Sequence, residues 1–220
     1  MKFIPLSEPL YEYLVAHGHN ADPLLAELEA ETAKLGTISM MQISPEQGTF
    51  MSILARATNA KSAIEIGTFT GYSALCIARG LGHDGHLLCC DINSEWTAIA
   101  RRYWEKAGVA DRIELRLAPA IETLQALPAD RRFDLAFLDA DKLSYRAYYE
   151  TLLPHIRPNG VLIIDNVLWG GAVLDAQPAA QETRALQELN DFIAGDVRVE
   201  AVMLPVADGL TIVRKRAPEQ

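Results

Sequence analysis

Cysteine is scarce in this chain, with only Cys76, Cys89 and Cys90 among 220 residues. They are odd in number and lie in apolar segments, so buried reduced thiols of a cytoplasmic protein explain them better than disulfides or a zinc site. Histidine is nearly as scarce, and His17, His19, His83, His86 and His155 stand without metal-ligand spacing. Positive charge is also short. Lys and Arg number 20 against 29 Asp and Glu, a net charge of −9, and no basic run occurs. Nucleic-acid affinity rests on clustered cations, so a nucleic-acid partner is excluded. No apolar run approaches the roughly 20 residues that span a bilayer, which argues against a membrane partner. The opening "MKFIPLSEPLYEYLVAHG" is interrupted by Pro5, Pro9 and acids and does not read as a signal peptide. Gly and Pro are not in excess. With half the residues hydrophobic and 22% charged, the composition is that of a globular protein. The length suits one domain, residues 1–220.

Positions 1–60 read as helices. Asp22 before Pro23 is an N-cap followed by a first-turn proline, with Gly36 as the stop. Ser44 before Pro45, with Gln47 three residues on, has capping-box spacing. Beyond Ala60, apolar β-like runs alternate with helical ones. "SAIEIG", "HLLCCDI", "RIELRL", "FDLAFLDA" and "GVLIIDN" are strands, and a helical run follows each. The helix in "SYRAYYETLLPHI" is expected to halt near Pro158. The tail "VRVEAVMLPVADGLTIVRKR" is two β runs about a turn at Asp208 and Gly209, an antiparallel hairpin. The alternation predicts an α/β fold, with a mainly parallel sheet and helices on both faces. Such sheets bind ligands at the carboxyl ends of their strands. Asp139, Asp165 and Asn166 all fall at such ends, where two buried strands leave the core.

The first strand runs into "EIGTFTGYS", with Glu65, Gly67 and Gly71 at the turn. Phe69 stands where a pyrophosphate needs bare backbone, so the G-x-G-x-x-G fingerprint is absent and a nicotinamide-dependent oxidoreductase is disfavoured. Asp91 ends the second strand, 24 positions beyond Gly67 (91 − 67), where a carboxylate can accept from ribose hydroxyls. Taken singly, the glycine serves a tight turn and the Asp caps a helix. Together they favour an adenosine-containing cofactor without a diphosphate.

The segments "MQISPEQGTF", "EIGTFTGYSAL", "CDIN", "LDADKLSY", "IIDNVLWGG" and "LPVADGLTIVRK" resemble, in order and spacing, the cation-dependent class I O-methyltransferases, which include caffeoyl-CoA and catechol O-methyltransferases. The resemblance covers nearly the whole chain. It implies a Rossmann-like methyltransferase fold, a seven-stranded mostly parallel sheet with a C-terminal antiparallel hairpin strand. It also implies S-adenosylmethionine as cofactor. Glu65, Gly67, Thr68, Tyr72 and Asp139 would line it, with Ser73 on its carboxylate, Asp91 on the ribose and Ala118 beside the adenine. Met41 and Ile43 would close over its methionine portion, the other reading being core packing. The helices of positions 1–60 would cap the cofactor site, mediate a homodimer, or both.

Asp139, Asp165 and Asn166 offer hard oxygen donors suited to Mg²⁺, with Mn²⁺ or Ca²⁺ as alternatives. Two carboxylates converging without a cation would repel, and a dication removes that conflict. A phenol titrates near pH 10, so ionising it at pH 7 is uphill by roughly 4 kcal/mol. A cation chelated by a vicinal diol would lower that barrier. By resemblance, Lys142 is the general base, Asp139 and Lys142 are the catalytic pair, and the substrate is a catechol-type small molecule touching Lys142 and Trp169. The competing readings are a surface ion pair for Asp139 and Lys142, an Asx turn at 165–166, and simple packing for Trp169. Asp141 either orients Lys142 or caps the helix near Ser144, and the cap is the preferred reading. Gly170 stands where plant caffeoyl-CoA enzymes carry a substrate-touching asparagine, and Lys2 is the only Lys or Arg before Lys34. Both features favour a smaller catechol over a CoA ester. A non-catalytic S-adenosylmethionine-binding module is the remaining rival, and the intact set Asp139, Lys142, Asp165 and Asn166 argues against it.

Overall fold

The computed structural model describes residues 4–18 and 21–217; Lys2 and His19 lie outside them. Strands β1 (Ser62–Ile66), β2 (His86–Asp91), β3 (Ile113–Leu117), β4 (Phe133–Leu138), β5 (Ile156–Ile164), β6 (Val199–Leu204) and β7 (Leu210–Lys215) form one sheet in the order β3-β2-β1-β4-β5-β7-β6. Pairing from β3 through β5 is parallel, and β7 runs against both of its neighbours. The expected topology, including the hairpin at Asp208 and Gly209, is present.

Strand side chains alternate between two cores, as the period of two requires. Ala63, Cys89, Leu135, Phe137 and Ile163 face one layer, with α2 (Pro23–Thr32), α3 (Pro45–Ala57), α4 (Tyr72–Gly80) and α5 (Ser94–Lys106). Ile64, Ile66, Cys90, Ala136, Leu138 and Ile164 face the other, with α6 (Ala120–Gln125), α7 (Tyr145–Leu152) and α8 (Gln181–Ala194). Both faces of the central strands are therefore covered, which explains their unbroken apolar runs. The three cysteines are free and buried. Helix α1 (Glu8–Gly18) buries none of its residues. Among the described residues, no helix is long and apolar enough to cross a membrane.

Asp22 caps α2 as expected, accepting from the Leu24 and Leu25 amides at 2.9 and 3.2 Å. Three expectations are corrected. Helix α2 gives way at Thr32 to a 3₁₀ segment, Ala33–Met41, and Gly36 kinks that segment with φ 73° instead of stopping the α-helix. Helix α7 ends at Leu152, because Pro154 removes a backbone donor; Pro158 lies inside β5, where the pairing with β4 slips. Ser44 occupies the N-cap of α3 without a side-chain cap bond, its hydroxyl donating to Glu46 at 2.7 Å, and Gln47 turns inward.

Candidate active site

The carboxyl ends of β1, β2, β4 and β5 lie side by side in the sheet, and the residues singled out in the sequence emerge from them. After β1 the chain turns through Gly67, with φ 91°, and Gly71, with φ 85°. A Cβ on Gly67 would sit 1.7 Å from the Asp139 carbonyl oxygen, so only glycine lets the β1 loop lie against the end of β4. Asp91 Oδ2 accepts from the Thr68 and Phe69 amides at 2.9 and 2.8 Å, and its Oδ1 from the Asn93 amide at 2.7 Å. Asp91 thus fastens the glycine loop. The cap of α5 is Asn93, not Asp91. The two amides fill Oδ2, and Oδ1 keeps one lone pair for a further donor. The half-buried Ala118 is tied to the same place, its amide donating to the Asp91 carbonyl at 3.1 Å.

Glu65 is wholly buried, facing the α2–α5 layer. Burial pushes its carboxyl up to about 8; Ser73, Cys89 and Thr68 pull it part of the way back. The Cys89 thiol donates to Oε2 at 3.4 Å. Oε1 and the hydroxyl of buried Thr68 nevertheless lack a well-formed hydrogen bond among the described residues. A buried carboxyl with an orphaned oxygen beside the glycine loop fits a ligand that brings donors or positive charge. In the ligand-free protein this group has a thermodynamic signature. Between pH 4.5 and 8 the folded state keeps a proton that the unfolded chain releases, so stability falls as pH rises through that window. Glu65→Gln is expected to lack this slope and to gain on its parent by several kcal/mol from pH 4.5 to 8. Urea unfolding of both proteins across that range checks it, and parallel profiles would rule it out.

At the ends of β4 and β5, Lys142 is buried, with 8% of its surface exposed. Its Nζ donates to Asp139 Oδ1 at 3.0 Å, to Asn166 Oδ1 at 2.6 Å and to the Tyr145 hydroxyl at 2.6 Å. The ammonium also lies 4.6 Å from the Tyr145 ring centroid and 5.7 Å from that of Trp169. An exposed ion pair is therefore not what joins Asp139 and Lys142. Asp165 is 3% exposed. Burial, and then the Asp139 carboxylate, push its carboxyl up to about 7, while Gln47, the Asn166 amide and Lys142 draw it down. Its Oδ1 accepts from the Asn166 amide at 2.6 Å, a local turn, and its Oδ2 from Gln47 Nε2 at 2.7 Å. Two acids, one amide oxygen and one cation thus meet at neighbouring strand ends. The convergence of Asp139 and Asn166 oxygens on one ammonium, beside a carboxyl raised by burial and then by Asp139, is a donor set that fits a hard cation. Among the described residues no three His, Cys, Asp or Glu side chains gather to hold a metal; the further side-chain oxygen at this place is Asn166 Oδ1. Asp141 is the cap, accepting from the Ser144 amide at 3.1 Å and the Tyr148 hydroxyl at 2.9 Å.

Phe69, Asn166 and Trp169 carry positive φ (51°, 56° and 50°), so non-glycine residues in the left-handed region cluster in the loops of this edge. Trp169 is half-buried, and the turn of the hairpin holds its loop, the Leu168 amide donating to the Asp208 carbonyl at 3.0 Å and the Gly170 amide to Asp208 Oδ1 at 2.6 Å. Ser73 is buried at the start of α4. Two residues stand apart from the polar cluster. Tyr72 is buried against Gly48 and Cys76 and lines a cavity of about 220 Å³ with Glu29 and Thr49. Ile43 is 7% exposed and belongs to the same core, whereas Met41 is 44% exposed. Gln47 and Tyr145, both in contact with the cluster, were not anticipated. Gln47 matched a capping spacing, and Tyr145 matched an apolar helix face.

The model of the O-methyltransferase family matches residues 16–216. The mouse catechol O-methyltransferase domain-containing protein 1 is 39% identical over 96% of this chain and 81% of its own. The caffeoyl-CoA O-methyltransferase of Eucalyptus gunnii is 38% identical over 95% and 88%. Among solved structures, the Streptomyces achromogenes O-methyltransferase TomG, in complex with S-adenosylmethionine, superposes with a TM-score of 0.85 at 28% identity, covering 94% of this chain and 95% of its own. The chain belongs to the O-methyltransferase family, enzymes that methylate oxygen with S-adenosylmethionine as the donor.

Proposed function

We propose that the protein is an S-adenosylmethionine- and divalent-cation-dependent O-methyltransferase acting on vicinal-diol, catechol-type phenols. The observation that carries this reading is the meeting of Asp139 and Asn166 oxygens on one cationic nitrogen, beside the buried Asp165 carboxyl. Asp139, Asp165 and Asn166 would hold Mg²⁺, with Mn²⁺ or Ca²⁺ as substitutes. When bound, the ion acidifies chelating hydroxyls and so supplies much of the roughly 4 kcal/mol needed to ionise a phenol at pH 7.

The remaining work falls to side chains. Lys142 would act from its neutral form: Nζ first gives up one proton to solvent and then takes the phenolic proton, and its bonds to Asp139, Asn166 and Tyr145 set where that nitrogen stands. Glu65, with its unpartnered oxygen, receives donors of the cofactor, with Gly67, Thr68 and Ser73 around it. Asp91 holds the ribose with the spare lone pair of Oδ1, and Ala118 lies beside the adenine. Trp169 walls the aromatic ring, and exposed Met41 closes over the methionine portion. Holding oxygen and methyl in line then supplies the rest of the acceleration. Gly170, with no side chain to reach a substrate, favours small catechols over a hydroxycinnamoyl-CoA ester. A homodimer contact belongs on α1, which buries none of its own residues, and a cytoplasmic location agrees with three free cysteines.

Incubation with S-adenosylmethionine and a panel of vicinal diols should yield methylated product that disappears with EDTA and returns with excess Mg²⁺. Turnover indifferent to chelation, or none on any vicinal diol, contradicts the proposal.

A further inference from the structure

A buried side-chain contact joins α3 to the end of β5. Gln47 is the third residue of α3, is 1% exposed, and donates from Nε2 to Asp165 Oδ2 at 2.7 Å. The two residues are 118 positions apart, so only docking of α3 brings them together. We propose that Gln47 is a positioning residue that fixes the Asp165 carboxylate for a divalent cation through a neutral hydrogen-bond donor. This rests on the cation site proposed above.

Three observations lead here. The Asp165 carboxylate has two tethers on this chain, the Asn166 amide on Oδ1 and Gln47 on Oδ2. The first is local and sets one oxygen, while the second removes the remaining freedom about the carboxylate's torsion. Each oxygen still has a lone pair for a metal. The donor is also uncharged. A Lys or Arg at this position would pair with the carboxylate and compete with a dication for it. A further acid would add to the repulsion already present between Asp139 and Asp165. An amide does neither, and so leaves the charge of the cluster unchanged. Finally, the contact is costly to leave unmade. A buried carboxylate that loses a donor keeps its desolvation penalty, so Gln47 adds order to the site and offsets part of the cost of burying Asp165.

Partners that orient metal ligands are worth about 10- to 100-fold in metal affinity. Mn²⁺ serves as the probe, its binding to the full chain read by electron paramagnetic resonance of the free ion. The parent should bind Mn²⁺, and Asp165→Asn should lose it. Gln47→Met keeps the length of the side chain without the donor and should weaken Mn²⁺ at least tenfold. Its affinity for S-adenosylhomocysteine, measured by calorimetry, should stay close to parental, and its melting temperature should fall by only a few degrees for the lost donor. Gln47→Asn stays polar but falls a methylene short of Asp165, and should show the same weakening if the Met variant does not fold. A parent silent toward Mn²⁺ overturns the cation site itself. A parent that binds Mn²⁺, with both Gln47 variants within twofold of it, overturns the role of Gln47 alone. Equal losses of Mn²⁺ and S-adenosylhomocysteine binding in both variants overturn it as well, since they would mark Gln47 as a packing residue.

Discussion

Asp165→Asn is expected to lower methyl transfer about 10³-fold while leaving the fold intact. The rate loss follows from the charge. With one carboxylate gone, the proposed dication would keep only Asp139 as an anionic ligand and would be held far more weakly, and the several kcal/mol by which it would stabilise the developing phenolate would be lost with it. About 4 kcal/mol corresponds to three orders of magnitude in rate. Stability should move the other way. Burial and Asp139 raise the Asp165 carboxyl from the ordinary 3.8 to about 7, so the folded ligand-free protein is penalised as this group ionises. That penalty is absent below pH 4 and complete above pH 7. The Asn side chain carries no charge, nearly matches the shape, and can still accept from the Asn166 amide or from Gln47. At pH 8, in the absence of metal, the variant should therefore unfold at a urea concentration no lower than that of its parent. Loss of turnover with retained or increased stability marks a functional carboxylate, because removal of a structural one lowers both. A variant that turns over at the parental rate in saturating Mg²⁺ would sink the proposed role.

Most of the fold is legible in the sequence because strand and helix periods alternate cleanly from Ser62 onward, and buried parallel strands advertise themselves as apolar runs. Residues at strand ends are legible for the same reason. A polar residue closing an apolar run is placed by topology alone, so the alternation itself assigns Asp91, Asp139, Asp165 and Asn166 to one edge of the sheet. What local patterns hide are contacts made across the chain. Gln47 has the right spacing for a capping box and uses its amide 118 residues away instead. Tyr145 reads as one more apolar residue of α7, yet its hydroxyl accepts from Lys142. Asp91 illustrates a third kind of gap. Its position is expected, but its use of both oxygens on backbone amides of the glycine loop and of Asn93 depends on how tightly that loop folds back. The misplaced end of α7 has a simpler cause. Pro154 and Pro158 both stop helices, and only the strand pairing of Ile156 with Phe133 decides between them.

The largest loss of stability should come from a single methyl group at Gly67. Gly67→Ala is expected to cost about 4 kcal/mol or more, enough to leave much of the protein unfolded at 37 °C. Two effects add. At φ 91° an alanine is in a region L-residues avoid, a cost of about 1–2 kcal/mol. Its Cβ would also lie 1.7 Å from the carbonyl oxygen of Asp139 and 2.7 Å from the carbonyl carbon, both far inside van der Waals contact. No side chain can rotate to relieve this, because the obstacle is backbone. That backbone is held by the Asp139 amide donating to the Ile66 carbonyl at 2.8 Å and the Gly67 amide donating to the Cys90 carbonyl at 2.9 Å. Relief requires β1 and β4 to part where they are hydrogen-bonded, and the Asp139 carboxylate moves with its carbonyl. Gly170→Ala supplies the control. Its φ of 58° is also left-handed, but nothing lies within 4 Å of the added Cβ, so only the conformational cost of about 1–2 kcal/mol applies. Urea midpoints of the two variants should therefore differ clearly, with Gly67→Ala the lower. Similar midpoints would mean that the β1 loop does not press against Asp139, and the edge on which the proposed chemistry depends would have to be redrawn.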